Sequence, residues 1–334
     1  MDLNIVWFIL ITVLFTGFFI LEGFDYGVGM MMIGRPKAER AQFVRAIGPV
    51  WDGNEVWMIT AGGATFAAFP HVYATMFSTF YLALFLMLLA LIMRGVAFEL
   101  RGKLKYNDWI NFWDFGIMFG SFLPALLWGV AVTNLLRGLP IDKNMHFVGN
   151  FLDLLSPCAL IGGIFFVLLF AHHGANFLSI KIADKSLVES MHRKSLRLGL
   201  FTLLFYVLFA AFAANDTDIL AKLSTVIFLG LSIAALITSC AASYARNGCK
   251  AFISSTLGIA FLTIGFFTAL FPRLMVSSLM PEWSLNIYNA ASTPHTLMLM
   301  TGAAIIFVPI VLIYQAWTYK IFKDRVTATD VQGH

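Results

Sequence analysis

The feature that most constrains this chain is the recurrence of long apolar runs separated by short polar connectors. About 20 apolar residues cross the hydrocarbon core of a bilayer as a helix. Inside lipid the backbone must satisfy its own hydrogen bonds, which leaves helices or closed barrels. Helix-length runs cover residues 5–32, 55–69, 75–98, 112–135, 156–178, 196–214, 221–244, 251–270 and 293–317. The second is short, is bracketed by Pro49 and Pro70, and needs residues 50–57 to complete it. Hydrophobic residues make up 60% of the chain and charged residues 12%, far from the balance of a soluble domain. The expected class is an all-α polytopic membrane protein with nine transmembrane helices. Residues 1–322 form one transmembrane domain, and 323–334 form a short cytoplasmic tail that is polar and expected to fray.

The connectors set an orientation. With the N-terminus outside, only Arg137, Lys143, Lys222 and Arg273 of the 22 lysines and arginines fall on the outer side. This is a strong positive-inside bias, and it places the C-terminus in the cytoplasm. The net charge of +4 is therefore a matter of topology and does not point to nucleic acid. The N-terminal MDLN lacks the basic start of a cleaved signal, so the first run is expected to stay in the protein. Cys158, Cys240 and Cys249 form neither a disulfide framework nor a CxxC metal pair.

Two acidic pairs interrupt this apolar frame. Glu22 and Asp25 close the first run, and Asp52 and Glu55 open the second. Each pair is spaced i, i+3 and shares a helix face. Glu22 lies roughly 25 Å along the first helix from its outer end, at about 1.5 Å per residue. Both pairs thus reach the cytoplasmic half, and Arg94 and Glu99 of the third run arrive at the same level. A structural account has Arg94 neutralising one acid and Asp52 capping a helix. The functional account is proton transfer, because carboxylates in a bundle interior are the usual material of proton relays. Four acids against one intramembrane arginine leave an excess of carboxyls, which favours a relay through Glu22, Asp25, Asp52 and Glu55, with Arg94 and Glu99 balancing charge.

Other chemistry finds little support. His71, His146 and His295 lie toward the outer side, whereas His172, His173, His192 and His334 lie toward the inner side. No pair is matched in depth for two axial haem ligands; a single axial His or Met stays open. Trp51, Trp57, Trp109, Trp113, Trp283 and Trp317 sit near run ends, as an aromatic belt requires. They could equally border a quinone or lipid groove. No phosphate-binding loop, nucleophile elbow or zinc motif is present.

The blocks GFDYGVGM, GPVWDGNEVWMITAGGATFAAFP, RGVAFELR and HHGANFLSIK, in this order and spacing, resemble subunit II of the cytochrome bd-type quinol oxidases. The similarity runs through all nine runs, and the chain is short for the family, as in its cyanide-insensitive branch. The resemblance implies two four-helix bundles plus one peripheral helix, and a heterodimer with a homologously folded subunit I. That partner would carry haems b and d and the quinol-oxidising loop. The complex would reduce dioxygen to water with quinol, taking protons from the cytoplasm of a bacterium. This chain would ligate no haem or metal and hold no catalytic residue. A bound quinone or lipid and small single-helix accessory subunits occur in some members. The family's acid before GFD maps to Glu22, where Asp is frequent, the Asp of WDGN to Asp52, and the Arg of RGVAFE to Arg94. The competing readings are a proton-coupled secondary transporter and a structural membrane scaffold. Against the transporter, the acids crowd at one interface rather than the midplane, and no broken-helix pair stands out.

Overall fold

The computed structural model describes residues 2–329. Helix α1 (Leu3–Met31) begins where the Asp2 carboxylate accepts the Asn4 N–H at 2.9 Å, satisfying one of the donors a helix start leaves free. The basic connector that follows is itself helical: α2 (Lys37–Ile47) buries Phe43, Ala46 and Ile47, exposes Arg45 and keeps Lys37, Glu39 and Arg40 half-buried. Helix α3 (Trp51–Ala68) takes in residues 51–57 as the short second run requires. The sequence predicts one span over 75–98, but the chain breaks at Phe80 (φ −97°, ψ 17°). Two helices result, α4 (Pro70–Thr79) and α5 (Tyr81–Leu100).

Helices α6 (Asn107–Arg137), α7 (Pro157–Lys181), α8 (Lys185–Asp216), α9 (Leu223–Tyr244), α10 (Gly248–Leu270) and α11 (Pro294–Ile321) complete the frame. Their starts carry legible caps: Ser156 before Pro157, Asp184 before α8, Asn247 before α10, and Thr293 before Pro294. Among the described residues, eight helices are long and apolar enough to cross a membrane: α1 and α5 through α11. The polar first turn of α3, with Asp52, Asn54 and Glu55, keeps that helix out of the set.

Helix α1 packs against α3, α6, α7 and α10. Helices α7, α8, α9 and α10 each pack on the next, and α10 returns to α7. The α1–α7 contact is backbone to backbone. A Cβ on Gly27 would lie 2.0 Å from the Phe170 carbonyl oxygen and 2.7 Å from Gly174 Cα. Only glycine permits that approach, the small-residue logic of helix pairs in lipid. Helix α11 stands at the edge, touching α1 and α3. Trp7 Nε1 donates to the Leu297 carbonyl (3.2 Å) and Thr301 Oγ1 (3.1 Å), and most of the apolar surface of α11 is exposed.

Polar contacts sort into two faces. On one, Arg40 reaches Asn111, Arg35 reaches Ser190, and Arg246 grips Glu189. On the other, Arg273 meets Asp218, Tyr288 meets Asp2, and a small antiparallel pair, β1 (Arg273–Met275) with β2 (Leu285–Asn286), packs near the 139–147 loop. The tail departs from expectation. Val326 is buried and exchanges backbone hydrogen bonds with Lys181 O (2.8 Å) and Ala183 N (2.9 Å). The Lys181 ammonium donates to the Phe322 carbonyl and to the Asp324 carbonyl. Residues 323–329 therefore include a docked segment, and the remainder of the predicted tail, His334 included, lies outside the described residues.

Candidate functional site

The buried charges converge where α1, α3, α5 and α11 meet. Three residues in one stretch of α1, Glu22, Asp25 and Tyr26, are fully buried. Helix α5 sends in Arg94, also fully buried, whose Nη1 donates to Glu22 Oε1. Its guanidinium lies 5.0 Å from the centroid of the Tyr26 ring and 5.6 Å from that of Phe98, a cation–π sandwich that holds the charge away from water. A buried ion needs such partners, because an isolated one is too costly.

Asp25 is served from a different helix. Asn54, fully buried in the first turns of α3, donates through Nδ2 to Asp25 Oδ2 at 2.7 Å. Asn54 Oδ1 in turn accepts from Tyr319 OH (2.8 Å) and Gln315 Nε2 (3.1 Å), both on α11. Gln315 Oε1 accepts from Trp57 Nε1 at 2.8 Å. Glu22 Oε2, Asp25 Oδ1, Tyr26 OH and Arg94 Nη2 have no hydrogen-bond partner among the described residues. The pocket thus keeps acceptors and donors side by side, an arrangement that internal water ordinarily satisfies.

The other acids named from the sequence do not join this core. Glu55 is half-buried and feels the Arg94 guanidinium and Asp52 electrostatically. Asp52 is exposed at the start of α3, two residues before Asn54, so it turns away while Asn54 turns in. Glu99 is exposed as well, five residues past Arg94, and forms no ion pair among the described residues. The structure brings together Glu22, Asp25 and Arg94, keeps Glu55 at the margin, and leaves Asp52 and Glu99 at the surface. Sequence reasoning missed Asn54, Gln315 and Tyr319. It also missed Asp114 of α6, fully buried between Arg40 (3.0 Å) and Arg101 (2.5 Å).

His172 and His173 lie well inside α7 and are fully buried, not at its end. His172 contacts the Ser195 carbonyl through Nδ1 and the Ser239 hydroxyl through Nε2, both at 2.8 Å. His173 contacts the Ser255 hydroxyl (2.7 Å) and the Ile20 carbonyl (3.2 Å). Both nitrogens of each ring are engaged, so these side chains, as placed, do not fit an axial bond to haem iron. Asn176 joins the same network through Ser195 (2.5 Å) and Ser239 (3.0 Å). Among the described residues, no group of three or more His, Cys, Asp or Glu is placed to hold a metal ion.

Fold and site together define a polytopic helical membrane protein with an ionisable centre buried between its helices. The family model of cytochrome bd terminal oxidase subunit II matches residues 3–322. The chain is 40% identical over 335 residues to cytochrome bd ubiquinol oxidase subunit 2 of Bacillus subtilis (strain 168), covering 98% of this chain and 97% of that one. It is 35% identical over 372 residues to cytochrome bd-I ubiquinol oxidase subunit 2 of Escherichia coli (strain K12), covering 99% and 97%. The structure of bd oxidase from Geobacillus thermodenitrificans shares the fold with a TM-score of 0.79 at 17% identity, over 96% of this chain and 99% of that one. The chain belongs to the cytochrome bd terminal oxidase subunit II family.

Proposed function

We propose that this chain is the second subunit of a bacterial membrane quinol oxidase, where it supports a haem-bearing first subunit and carries part of a cytoplasmic proton route to dioxygen reduction. Haems b and d held by the partner would supply the redox chemistry, with quinol as reductant and dioxygen as acceptor. The observation that carries the reading is the buried Glu22–Asp25–Arg94 cluster. One guanidinium balances one carboxylate, and the second carboxyl is left to take up and release a proton. Asn54 occupies Asp25 Oδ2 and Arg94 occupies Glu22 Oε1, so Asp25 Oδ1 and Glu22 Oε2 are the oxygens on which a proton would sit. Glu55, half-buried, and Asp52, exposed, form the mouth that collects protons from the basic face.

In this reading α3 is the ninth span. Helices α1, α3, α4–α5 and α6 make one four-helix bundle and α7–α10 the other, with α11 peripheral. The N-terminus lies outside and the basic face is cytoplasmic. A groove of about 580 Å³ bordered by α3, α4 and α5 and lined by Ile59, Phe66, Tyr73 and Leu88 suits a quinone tail or a lipid chain. Small single-helix accessory subunits would find further apolar surface along α8 and α9.

The test is oxygen consumption and proton uptake by the purified complex in liposomes. Glu22→Gln and Asp25→Asn keep shape and remove a titratable group. Each is expected to leave haem spectra unchanged and to slow turnover at least tenfold, about 1.4 kcal/mol on the limiting barrier. Wild-type rates in both variants would overturn the proton route. Asp52→Asn, at the exposed mouth, should have the smaller effect.

A further inference from the structure

Helix α11 is the least enclosed of the membrane-length helices, yet it reaches the buried acids through two side chains. The amide of Asn54 can be placed in either of two orientations, with its NH2 or its oxygen toward Asp25. Its surroundings decide between them. Gln315 presents Nε2 to Asn54 because Gln315 Oε1 is already taken by the Trp57 indole N–H, a group that can only donate. Tyr319 OH lies 2.8 Å from the same Asn54 oxygen. Two donors from α11 thus converge on Asn54 Oδ1, and Nδ2 must face Asp25 Oδ2. A flipped amide would set an NH2 against the Gln315 NH2 and an oxygen against a carboxyl oxygen.

We infer that Trp57, Gln315 and Tyr319 are positioning residues that lock the Asn54 carboxamide as a hydrogen-bond donor to Asp25, so that the seating of peripheral helix α11 sets the protonation chemistry of the buried acid pair. The inference rests on the proton-transfer reading for its consequence in turnover, but not for the geometry itself. It is directional: each group donates to the next, from Trp57 through Gln315 and Asn54 to Asp25, and Tyr319 reinforces the middle step. Loss of the α11 donors frees Asn54 to rotate, and Asp25 then loses the donor that occupies Oδ2. Helix α11 also carries an exposed apolar face with Ile306, Ile310, Ile313 and Trp317.

The test reads the carboxyl directly. In infrared difference spectra of the assembled complex, the protonated-carboxyl stretch that disappears in Asp25→Asn belongs to Asp25. Tyr319→Phe/Gln315→Leu removes both donors to Asn54 and is expected to shift that band to higher frequency, since a carbonyl relieved of a hydrogen bond stiffens. Asn54→Leu should shift it equally, and adding Tyr319→Phe to Asn54→Leu should shift it no further. Gln315→Asn with Tyr319 intact should restore most of the wild-type position. If Asn54→Leu fails to assemble, Tyr319→Phe alone, which keeps the ring, carries the same expectation of a shift. A band unmoved in the double variant overturns the positioning role. Wild-type turnover of both Glu22→Gln and Asp25→Asn, together with a band shifted in the α11 variants, would remove the proton route and leave the positioning standing.

Discussion

The Arg94–Glu22 pair allows a prediction with a worked magnitude. Arg94→Met removes the guanidinium and keeps most of the stem packed between Tyr26 and Phe98. Both partners are fully buried, so the loss leaves Glu22 with no counter-charge away from bulk solvent. Removing one member of a buried pair costs roughly 3–5 kcal/mol, whereas replacing both by uncharged groups of similar volume is frequently near neutral. At about 1.4 kcal/mol per tenfold in an equilibrium constant, the single variant should lower the assembled fraction by a hundredfold or more where the wild type is marginal. The double variant Glu22→Gln/Arg94→Met should recover most of it. The assay is the yield and thermal midpoint of the purified complex for both single variants and the double, read as a double-mutant cycle. A coupling of about 2–3 kcal/mol is expected. Wild-type yield and midpoint for Arg94→Met alone would refute the reasoning, because Glu22 would then need no counter-charge.

Two further outcomes follow from local geometry. Gly27→Ala would drive a Cβ to within 2.0 Å of the Phe170 carbonyl oxygen. It should cost at least the ~1–3 kcal/mol of ordinary overpacking, seen as a lower thermal midpoint, while Gly230→Ala, with no atom within 4 Å of its Cβ, should not. Asp142 accepts the His146 N–H (2.8 Å) and the Asn144 N–H (2.9 Å), and these bonds, His146 first, hold its carboxyl below the usual carboxylate range. A lowered folded value means that the stabilisation is complete above the ordinary carboxylate range and is lost as pH falls through the folded value. Amide exchange at Asn144 and His146 should therefore lose protection on acidification, and Asp142→Ala should show the same loss at neutral pH.

How far the sequence speaks for the site depends on the kind of signal each residue carries. Glu22, Asp25 and Arg94 were legible because a charge inside an apolar run has few explanations other than a partner or a function. Asn54 was not, although WDGNE advertised its neighbours. The i, i+3 rule put Asp52 and Glu55 on one face but did not say which face turns inward, and the inward position belongs to Asn54. Gln315 and Tyr319 had a weaker signal, an amide and a phenol in the last apolar run, which a search sorted by charge passes over. Depth along the fifth run puts His172 and His173 toward the inner side but does not show that α7 continues to Lys181 and that neighbouring helices cover both rings. The break at Phe80 has no proline or glycine to mark it. Val326 is one of few apolar residues in a polar tail, and only its backbone pairing to Lys181 and Ala183 reveals a docked segment.

The backbone contact between α1 and α7 also keeps two polar networks apart. The Glu22–Asp25 cluster opens from α1 toward α3, α5 and α11, while the polar network of His172, Asn176 and Ser195 lies behind α7. Between them, the face of α1 that carries Gly23 and Gly27 is pressed against Phe170 and Gly174. A would-be Cβ on Gly27 finds 2.0 Å to the nearest atom, against the roughly 1.4 Å radius of a water molecule on each side of its centre. At Gly27 the seam leaves no room for a water molecule. Among the described residues, the polar link across it, His173 to the Ile20 carbonyl at 3.2 Å, ends on a backbone oxygen that cannot pass a proton onward. The protein therefore contains two polar networks, one on each side of the wall that α1 and α7 make.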